Sequence, residues 1–572
     1  MNNTSNEGMD RRHFIEYCAV LGLASTLLPE CQGKNIEKKA KIVTTEIVEA
    51  AEKIIGINLT SKERKRIVGR LNNNLEVYND LRAEHMDNSV QCAMVFNPVP
   101  PGMTFSTEQE PVEYSDIRVK RPANLEDAAF FSVLQLAHLV KTRQVTSLEL
   151  SEMYLSRLKR YNPSLKFVVN LTEELALNQA KRADREIKAG QYRGPLHGIP
   201  YGAKDLFSVK GYKTTWGAEP FKDQIIDRDA TIIERLEDAG AVLVAKLSMG
   251  ALATGDIWYE GRTNNPWDPK RGSSGSSAGP ASATAAGCVA FGIGTESNGS
   301  IISPCYECGV TGLRPTFGRI SRYGAMALSW SMDKVGPICR TVEDCALVFN
   351  AIYGPDGRDN TIFDLPFNWN PDLDISKLRI GVFEKYFTKE LMGNPKKGKW
   401  KAFREKEQKL CSQALETLKK LGADLKPLDF DIPTLGTGFI LTTEAAAAFE
   451  EFSRGTADDL VKKSHWPDTF RHRRFVPAVE YIQANRYRSI LVERMNEIMR
   501  DVDVFVEVAH SNTQLTNLTG HPAVIVPCGF VDGRPIAIVF VGKLFGEAET
   551  LAVAKAYQDV TGFHLKHPVL SA

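Results

Sequence analysis

From about Asp127 onward, short apolar runs rich in β-branched residues alternate with stretches of helical periodicity. Few folds accommodate that alternation. The short runs are Phe167–Leu171, Ala241–Ala245, Val289–Ile293, Leu378–Val382, Val504–Val506, Ala523–Val526 and Ile536–Val541. Between them lie helical stretches such as Ser132–Val140, Thr146–Leu158, Lys401–Leu421 and Ala478–Asp501. Thr146, with Glu149 three residues later, has the pattern of a capping box. Strands interleaved with helices predict an α/β fold, a large sheet covered by helices on both faces. The last two runs are close enough to pair as a hairpin, so the sheet is expected to be mixed.

The chain ahead of this region has a different texture. Arg11-Arg12 precedes a mostly apolar stretch, Phe14–Leu28, that is short for a membrane span. A basic pair followed by an apolar run reads as an export signal over residues 1–33, resembling the twin-arginine type, and directs the chain to the periplasm. If the run is instead an amphipathic helix of the mature fold, the chain is cytoplasmic. Cys31 is a poor lipidation site because Pro29-Glu30 precede it. Residues 34–126 read as a helical extension, with Ile42, Ile47, Ala50-Ala51 and Ile54 at helical spacing, followed by a proline-containing arm. The domain proper is taken as 127–572.

Charge says little about partners. The formal net charge is +1 over 572 residues, which gives no footprint for nucleic acid. The run Arg471-His472-Arg473-Arg474 reads as a solvated helix face. Of ten cysteines only Cys305 and Cys308 form a CxxC, half of what a four-ligand zinc site needs. Core packing is the expected role of this pair, with a disulfide or a redox or metal function as alternatives.

Three stretches carry chemistry. In Gly194–Asp205 a lysine, Lys204, ends an apolar segment punctuated by glycine and proline. Burial would lower its pKa and leave a neutral amine, a usable base, at a cost of roughly 4–5 kcal/mol. An ion pair with Asp205 is the competing structural explanation. The second stretch is Gly272–Gly279 and the third Gly294–Ser300, which follows an apolar run. A Gly-rich turn after a strand gathers backbone N–H groups that can stabilise an oxyanion beside a nucleophile. Neither turn ends in Gly-Lys-Ser/Thr, so a phosphate-binding P-loop is excluded. A Gly-x-Ser-x-Gly pattern centred on Ser277 lacks the strand expected before a nucleophile elbow, since Asn264–Ser274 reads as polar and turn-like.

Together, a lysine, a serine-rich turn and a second Gly-rich turn in this order resemble the amidase signature family, the Ser–cisSer–Lys hydrolases. The resemblance runs from about Ala128 to Pro568 and extends through Gly309–Arg319, Asp333–Pro337 and Leu518–Ala523. It implies that Lys204 is the base, Ser300 the nucleophile and a bridging serine the relay between them. Family spacing selects Ser276 over Ser273, Ser274 and Ser277; Ser273 would need a three-residue insertion. The resemblance also implies a cis peptide bond before that serine, and an oxyanion hole from the N–H groups of Ser297, Asn298, Gly299 and Ser300. No metal or organic cofactor is required, and the implied substrate is a small-molecule or peptide amide.

Two departures from the family pattern matter. Its usual glycine pair before the nucleophile is Asn298-Gly299 here, and the arginine that many relatives carry two residues after the nucleophile is Ile302. That arginine helps hold glutamine in the glutaminase subunits of amidotransferases, so Ile302 argues against glutaminase function. The Val508–Asn517 segment is also short, implying an altered pocket rim. The alternatives to a stand-alone amidohydrolase are a non-catalytic binding protein on the same scaffold and an amidotransferase subunit. His197, His510 and His521 are expected to be structural or pocket-lining. Tyr259, Met326, Trp330 and Phe439 are candidates for an apolar pocket wall. The oligomeric state stays open, a homodimer included.

Overall fold

The computed structural model describes residues 42–387, 399–455, 460 and 464–570, so the export-signal segment 1–33 lies outside the described residues. The chain forms two units that divide between Glu84 and His85. In the first, helices Thr45–Ile55 and Ser61–Ala83 are joined through Glu52, whose carboxylate accepts from Arg64 Nε at 2.7 Å and Nη2 at 3.0 Å. Of the apolar stripe expected here, Ile47, Ala50, Ala51 and Ile54 lie on the first helix, and Ile42 precedes it. Within the structure, however, Ile42, Ile47 and Ile54 are exposed. The proline-containing arm belongs to the second unit.

The second unit is built on an 11-stranded sheet. Its strands are β1 (Val168–Leu171), β2 (Pro200–Lys204), β3 (Val242–Leu247), β4 (Phe291–Glu296), β5 (Thr311–Arg314) and β6 (Lys334–Cys339). They continue with β7 (Ile380–Val382), β8 (Leu425–Pro427), β9 (Val504–Val508), β10 (Ala523–Val531) and β11 (Arg534–Gly542). The spatial order is β1-β3-β2-β4-β6-β5-β10-β11-β9-β7-β8. β2 runs parallel to β3 and β4, and β7 parallel to β8 and β9, whereas the middle of the sheet is antiparallel. The sheet is therefore mixed, and β10 and β11 pair as the expected hairpin.

Successive strand side chains point to opposite faces. Every residue of β2, β3, β4, β6 and β9 is buried, so both faces of the sheet are covered at those strands. Helix Ser147–Leu165 starts from Thr146, whose hydroxyl and Glu149 form the capping box. Helix Val133–Lys141 has a second box, from Ser132 and Gln135.

Strands β2, β5, β6 and β8 lie outside the seven predicted runs. They carry Gly, Pro or buried charges that mask the alternation. The segment Asn264–Ser274, expected to be a turn, instead contains a short hairpin of Asn264–Asn265 with Asp268–Gly272. Its polar side chains close it locally, as where Asn265 Oδ1 accepts the Trp267 N–H at 2.9 Å.

The entry to β4 is fixed by a buried arginine. Arg340 donates to the carbonyls of Phe131, Thr284, Val289 and Ala290 at 3.0–3.1 Å. It thereby ties the end of helix Ala278–Ala285 to the strand that leads to the Gly-rich turn. Replacing it by methionine leaves several buried acceptors unmade, each worth about 1–3 kcal/mol. Arg340→Met is expected to lower stability by at least about 3 kcal/mol in a denaturant titration, and an unchanged midpoint would show that the carbonyls find other donors.

Candidate active site

The parallel strands β2 and β4 end side by side, which brings Lys204, the last residue of β2, next to Thr295 and Glu296 at the end of β4. Lys204 is fully buried. Its Nζ lies 2.8 Å from Ser276 Oγ, 2.8 Å from Thr295 Oγ1 and 3.2 Å from Ser277 Oγ. Among the described residues no carboxylate pairs with it. Asp205, the residue just past the strand end, does not serve, because it turns to the opposite face from Lys204. Asp205 pairs at 2.9 Å with Lys246, on the other face, and accepts from the Thr215 N–H. Burial pushes the Lys204 pKa down to about 7, against the upward pull of Asp333 and Glu296. An amine at about 7 is neutral in a large fraction of molecules near physiological pH.

The four candidate serines have distinct surroundings. Ser273 donates to the Ser274 carbonyl, and the Ser274 N–H is held by Asp256. Ser277 Oγ accepts the Thr295 N–H at 3.1 Å and donates to the Thr295 carbonyl at 3.0 Å, so its proton is committed to the backbone. Gly294 makes that approach feasible, since a Cβ there would sit 2.7 Å from Ser277 Oγ. Ser276 is nearly fully buried, and its hydroxyl contacts Lys204. The Gly275–Ser276 peptide bond is cis, as the resemblance implies. A side chain on Gly275 would collide with the Gly255 carbonyl oxygen, only 1.9 Å from an ideal Cβ.

Ser300 is joined to this cluster through the backbone: the Ser277 N–H donates to its carbonyl at 3.1 Å. Its side chain is half-buried and, among the described residues, makes no hydrogen bond. The turn before it gathers N–H groups. None of those of Ser297, Asn298, Gly299 and Ser300 donates to another described residue, while the next two are consumed. Ile301 and Ile302 both donate to Glu296 Oε2, at 2.8 and 3.0 Å. Gly299 has φ of 89°, a left-handed conformation that favours glycine, whereas Asn298, in place of the first glycine, is exposed.

Glu296 sets the shape of this turn and was not singled out in the sequence. Its Oε1 accepts from Arg314 Nη1 and from Asn517 Nδ2, each at 2.8 Å. Burial alone would raise its pKa. The Arg314 charge and hydrogen bond, the Ile302 N–H and the Asn517 amide instead hold it down at about 2. Asp333 was likewise not singled out as a site residue; it accepts from Ser297 Oγ and from the Leu328 and Ser329 N–H groups. Only the Gly-Thr-Glu-Ser order and the Asp333–Pro337 motif pointed toward these residues, because their partners come from distant segments.

The remaining candidates separate cleanly. Ile302 is buried in the apolar core, and Cys305 and Cys308 are buried free thiols packed within it. No group of His, Cys, Asp and Glu suited to a metal occurs among the described residues. His197 packs against Tyr192 with Nε2 3.0 Å from Glu186, His510 against Tyr306, and His521 Nδ1 lies 2.8 Å from Thr519 Oγ1. None of them bonds Ser300. A cavity of about 90 Å³ adjoins the turn and is lined by Thr295 and Ser297. Met326 and Trp330 belong to its wall; Tyr259 and Phe439 do not. The Val508–Asn517 segment leads into helix Thr513–Thr519, with Thr513 beside Gly299 and Asn517 on Glu296.

A family model described as Amidase matches residues 149–508, more than half of the chain. The chain belongs to the amidase signature family. It is similar to a subunit of the glutamyl-tRNA(Gln) amidotransferase of Chloroflexus aggregans, with 33% identity over 75% of this chain and 96% of that one. Among solved structures it is similar to the peptide amidase of Stenotrophomonas maltophilia, with a TM-score of 0.66 and 26% identity, covering 76% of this chain and 98% of that one. A bacterial aryl acylamidase has the same fold, with a TM-score of 0.67, 21% identity and coverage of 76% and 98%. Family membership and these likenesses make this amidase signature chain an amide-hydrolysing enzyme.

Glu296→Gln would leave the Arg314 charge buried and unpaired, at a cost of about 3–5 kcal/mol at neutral pH. Because the folded carboxyl is depressed from 4.5 to about 2, its stabilisation is complete above the unfolded value and disappears as pH falls through the folded one. Denaturant titrations are expected to show the variant well below wild type at neutral pH and the gap closing on acidification. A gap independent of pH would separate Glu296 from the charge balance.

Proposed function

We propose that the chain is a stand-alone amidohydrolase that works through a Ser300 acyl-enzyme, with Lys204 and Ser276 as the proton relay. The observation that carries this reading is the buried Lys204 amine, 2.8 Å from Ser276 Oγ, with no carboxylate bonded to it among the described residues. A neutral amine can accept the Ser276 proton while Ser276 takes the proton of Ser300. Ser300 Oγ then bonds the amide carbon, and the carbonyl electron pair moves to oxygen, facing the N–H groups of Ser297–Ser300. Collapse breaks the C–N bond as the relay returns the proton to the departing nitrogen. Water attacks the acyl-enzyme by the same relay and releases the acid. The donors 297–300 need no rearrangement, since none is already bonded to a described residue.

Because the base must be neutral, kcat/KM is expected to rise with pH through about 7, the value at which burial sets Lys204. Lys204→Ala should lose about 10²–10⁴-fold in acylation. Fluorophosphonate labelling with peptide mapping should mark Ser300. Label on another residue, or abolition of acylation by a histidine change with Lys204→Ala still active, would refute the mechanism.

Similarity to an amidotransferase subunit favours a second reading, a glutaminase-type subunit in a complex. Ile302 opposes it, being an apolar core residue where many relatives carry arginine. Co-purification with partner subunits, coupled with glutamine-dependent amide transfer, would decide for it. We also propose export, on the strength of Arg11-Arg12 ahead of Phe14–Leu28. Replacement of both arginines by lysine should retain the protein in the cytoplasm.

A further inference from the structure

The cavity beside the turn has a charge inventory that is almost closed. Five of its lining residues are acidic or basic: Arg228, Arg322, Asp333, Lys334 and Asp359. Arg322 is clamped to Asp359 at 2.9 and 3.2 Å and also donates to the Trp330 carbonyl. Asp333 is taken up by Ser297 and two backbone N–H groups. Lys334 donates to the Met332 carbonyl, and burial drives its pKa well below the ordinary lysine value.

Arg228 is the exception. Its guanidinium makes no hydrogen bond or ion pair with a described residue, and its Nε is shielded from solvent. It is half-buried and lies 5.6 Å from the centre of the Tyr323 ring, a cation–π contact that orients the group without using its donors. Asp87 feels its charge, but that carboxylate is hydrogen-bonded to Ser89. The adjacent Asp227 and Asp229 turn to Lys210, through its amine and its N–H respectively. A planar fork of unused donors in a cavity wall is suited to a carboxylate.

A second lining residue, Thr295, bears on which part of the substrate the cavity would hold. Thr295 lines it and is also a hydrogen-bond partner of Lys204. The relay must protonate the departing nitrogen, so the amine half of the substrate belongs on the side of Lys204 and its partners. We infer that Arg228 binds a carboxylate on the leaving amine, so that the enzyme cleaves N-acyl derivatives of short amino acids. This rests on the amidohydrolase reading above. The small volume, about 90 Å³, restricts the amine to a short chain.

The test compares N-benzoylglycine with N-benzoylisobutylamine, which share an acyl group and match in shape but differ in charge. Wild type should prefer the glycine derivative. Arg228→Gln should reduce the ratio of the two kcat/KM values by about 10–100-fold, the range of a charge-assisted hydrogen bond, and Arg228→Lys should restore part of it. An unchanged ratio overturns the inference. A fall seen only with a carboxylate on the acyl half overturns its placement on the amine. Calorimetry of N-benzoylglycine with Ser300→Ala, with and without Arg228→Gln, reads the contact without turnover. Equal affinities refute Arg228 even if amides are hydrolysed. A weaker affinity with no hydrolysis of any amide by the wild type would sustain Arg228 and refute the reading on which it rests.

Discussion

An amine taken out of water with no counter-ion bonded to it is the constraint around which the site is arranged. A charged ammonium in that position is penalised strongly, so the protein stabilises the neutral form and supplies hydroxyls in place of carboxylates. Ser276, Ser277 and Thr295 surround Lys204 in this way. The arrangement holds only if nearby acids are occupied elsewhere. Glu296 is saturated by Arg314, Asn517 and two backbone N–H groups, and Asp333 by Ser297 and the Leu328 and Ser329 N–H groups. Hydrogen-bonded acids of this kind still raise the lysine's basicity through space, and burial outweighs them.

Saturating Glu296 has a second effect. By collecting the Ile301 and Ile302 N–H groups, its carboxylate holds the start of helix Ile302–Cys308 and leaves the four preceding donors pointing elsewhere. One buried carboxylate, kept from pairing with Lys204 by its other partners, thus also shapes the donor turn. The arm from the start of the second unit contributes at the cavity, where Asn88 pairs in both directions with the Ala327 backbone; farther along, away from the cavity lining, Phe96 packs on Arg488 and against Phe317.

Much of this was legible in the sequence, and the pattern of success is physical. Runs of β-branched residues announced seven of the strands, and the Thr146–Glu149 box announced a helix start, because both signals are local. β2, β5 and β6 were missed because they lie buried on both faces and contain Gly202, Gly312, Gly336 and Pro337, so they show neither alternation nor strong β-propensity, and β8 because it is three residues long and ends in Lys426-Pro427. That Lys204 meets Ser276, after a cis peptide bond, could be anticipated because motif order survives without a structure. The surroundings of Glu296, Asp333 and Arg228 could not, since Arg314, Asn517, Ser297 and Tyr323 come near only in the folded chain. Of four aromatic or apolar wall candidates, Met326 and Trp330 line the cavity, and chemical type alone had not distinguished them from Tyr259 and Phe439.

The pleat of β2 and β3 has one more consequence. Ala203 stands opposite Lys246 and Lys204 opposite Leu247, so two buried lysines on paired strands face opposite sides of the sheet. One amine sits with a carboxylate, the other without. The sheet acts as an insulator one peptide thick, letting a conventional ion pair at Asp205 and an amine without a bonded carboxylate at Lys204 coexist on adjacent residues. Evolution could therefore re-engineer the Lys246 side for stability without altering the proton inventory on the Lys204 side, whereas a slip of one residue in strand register would exchange the two environments and lose both.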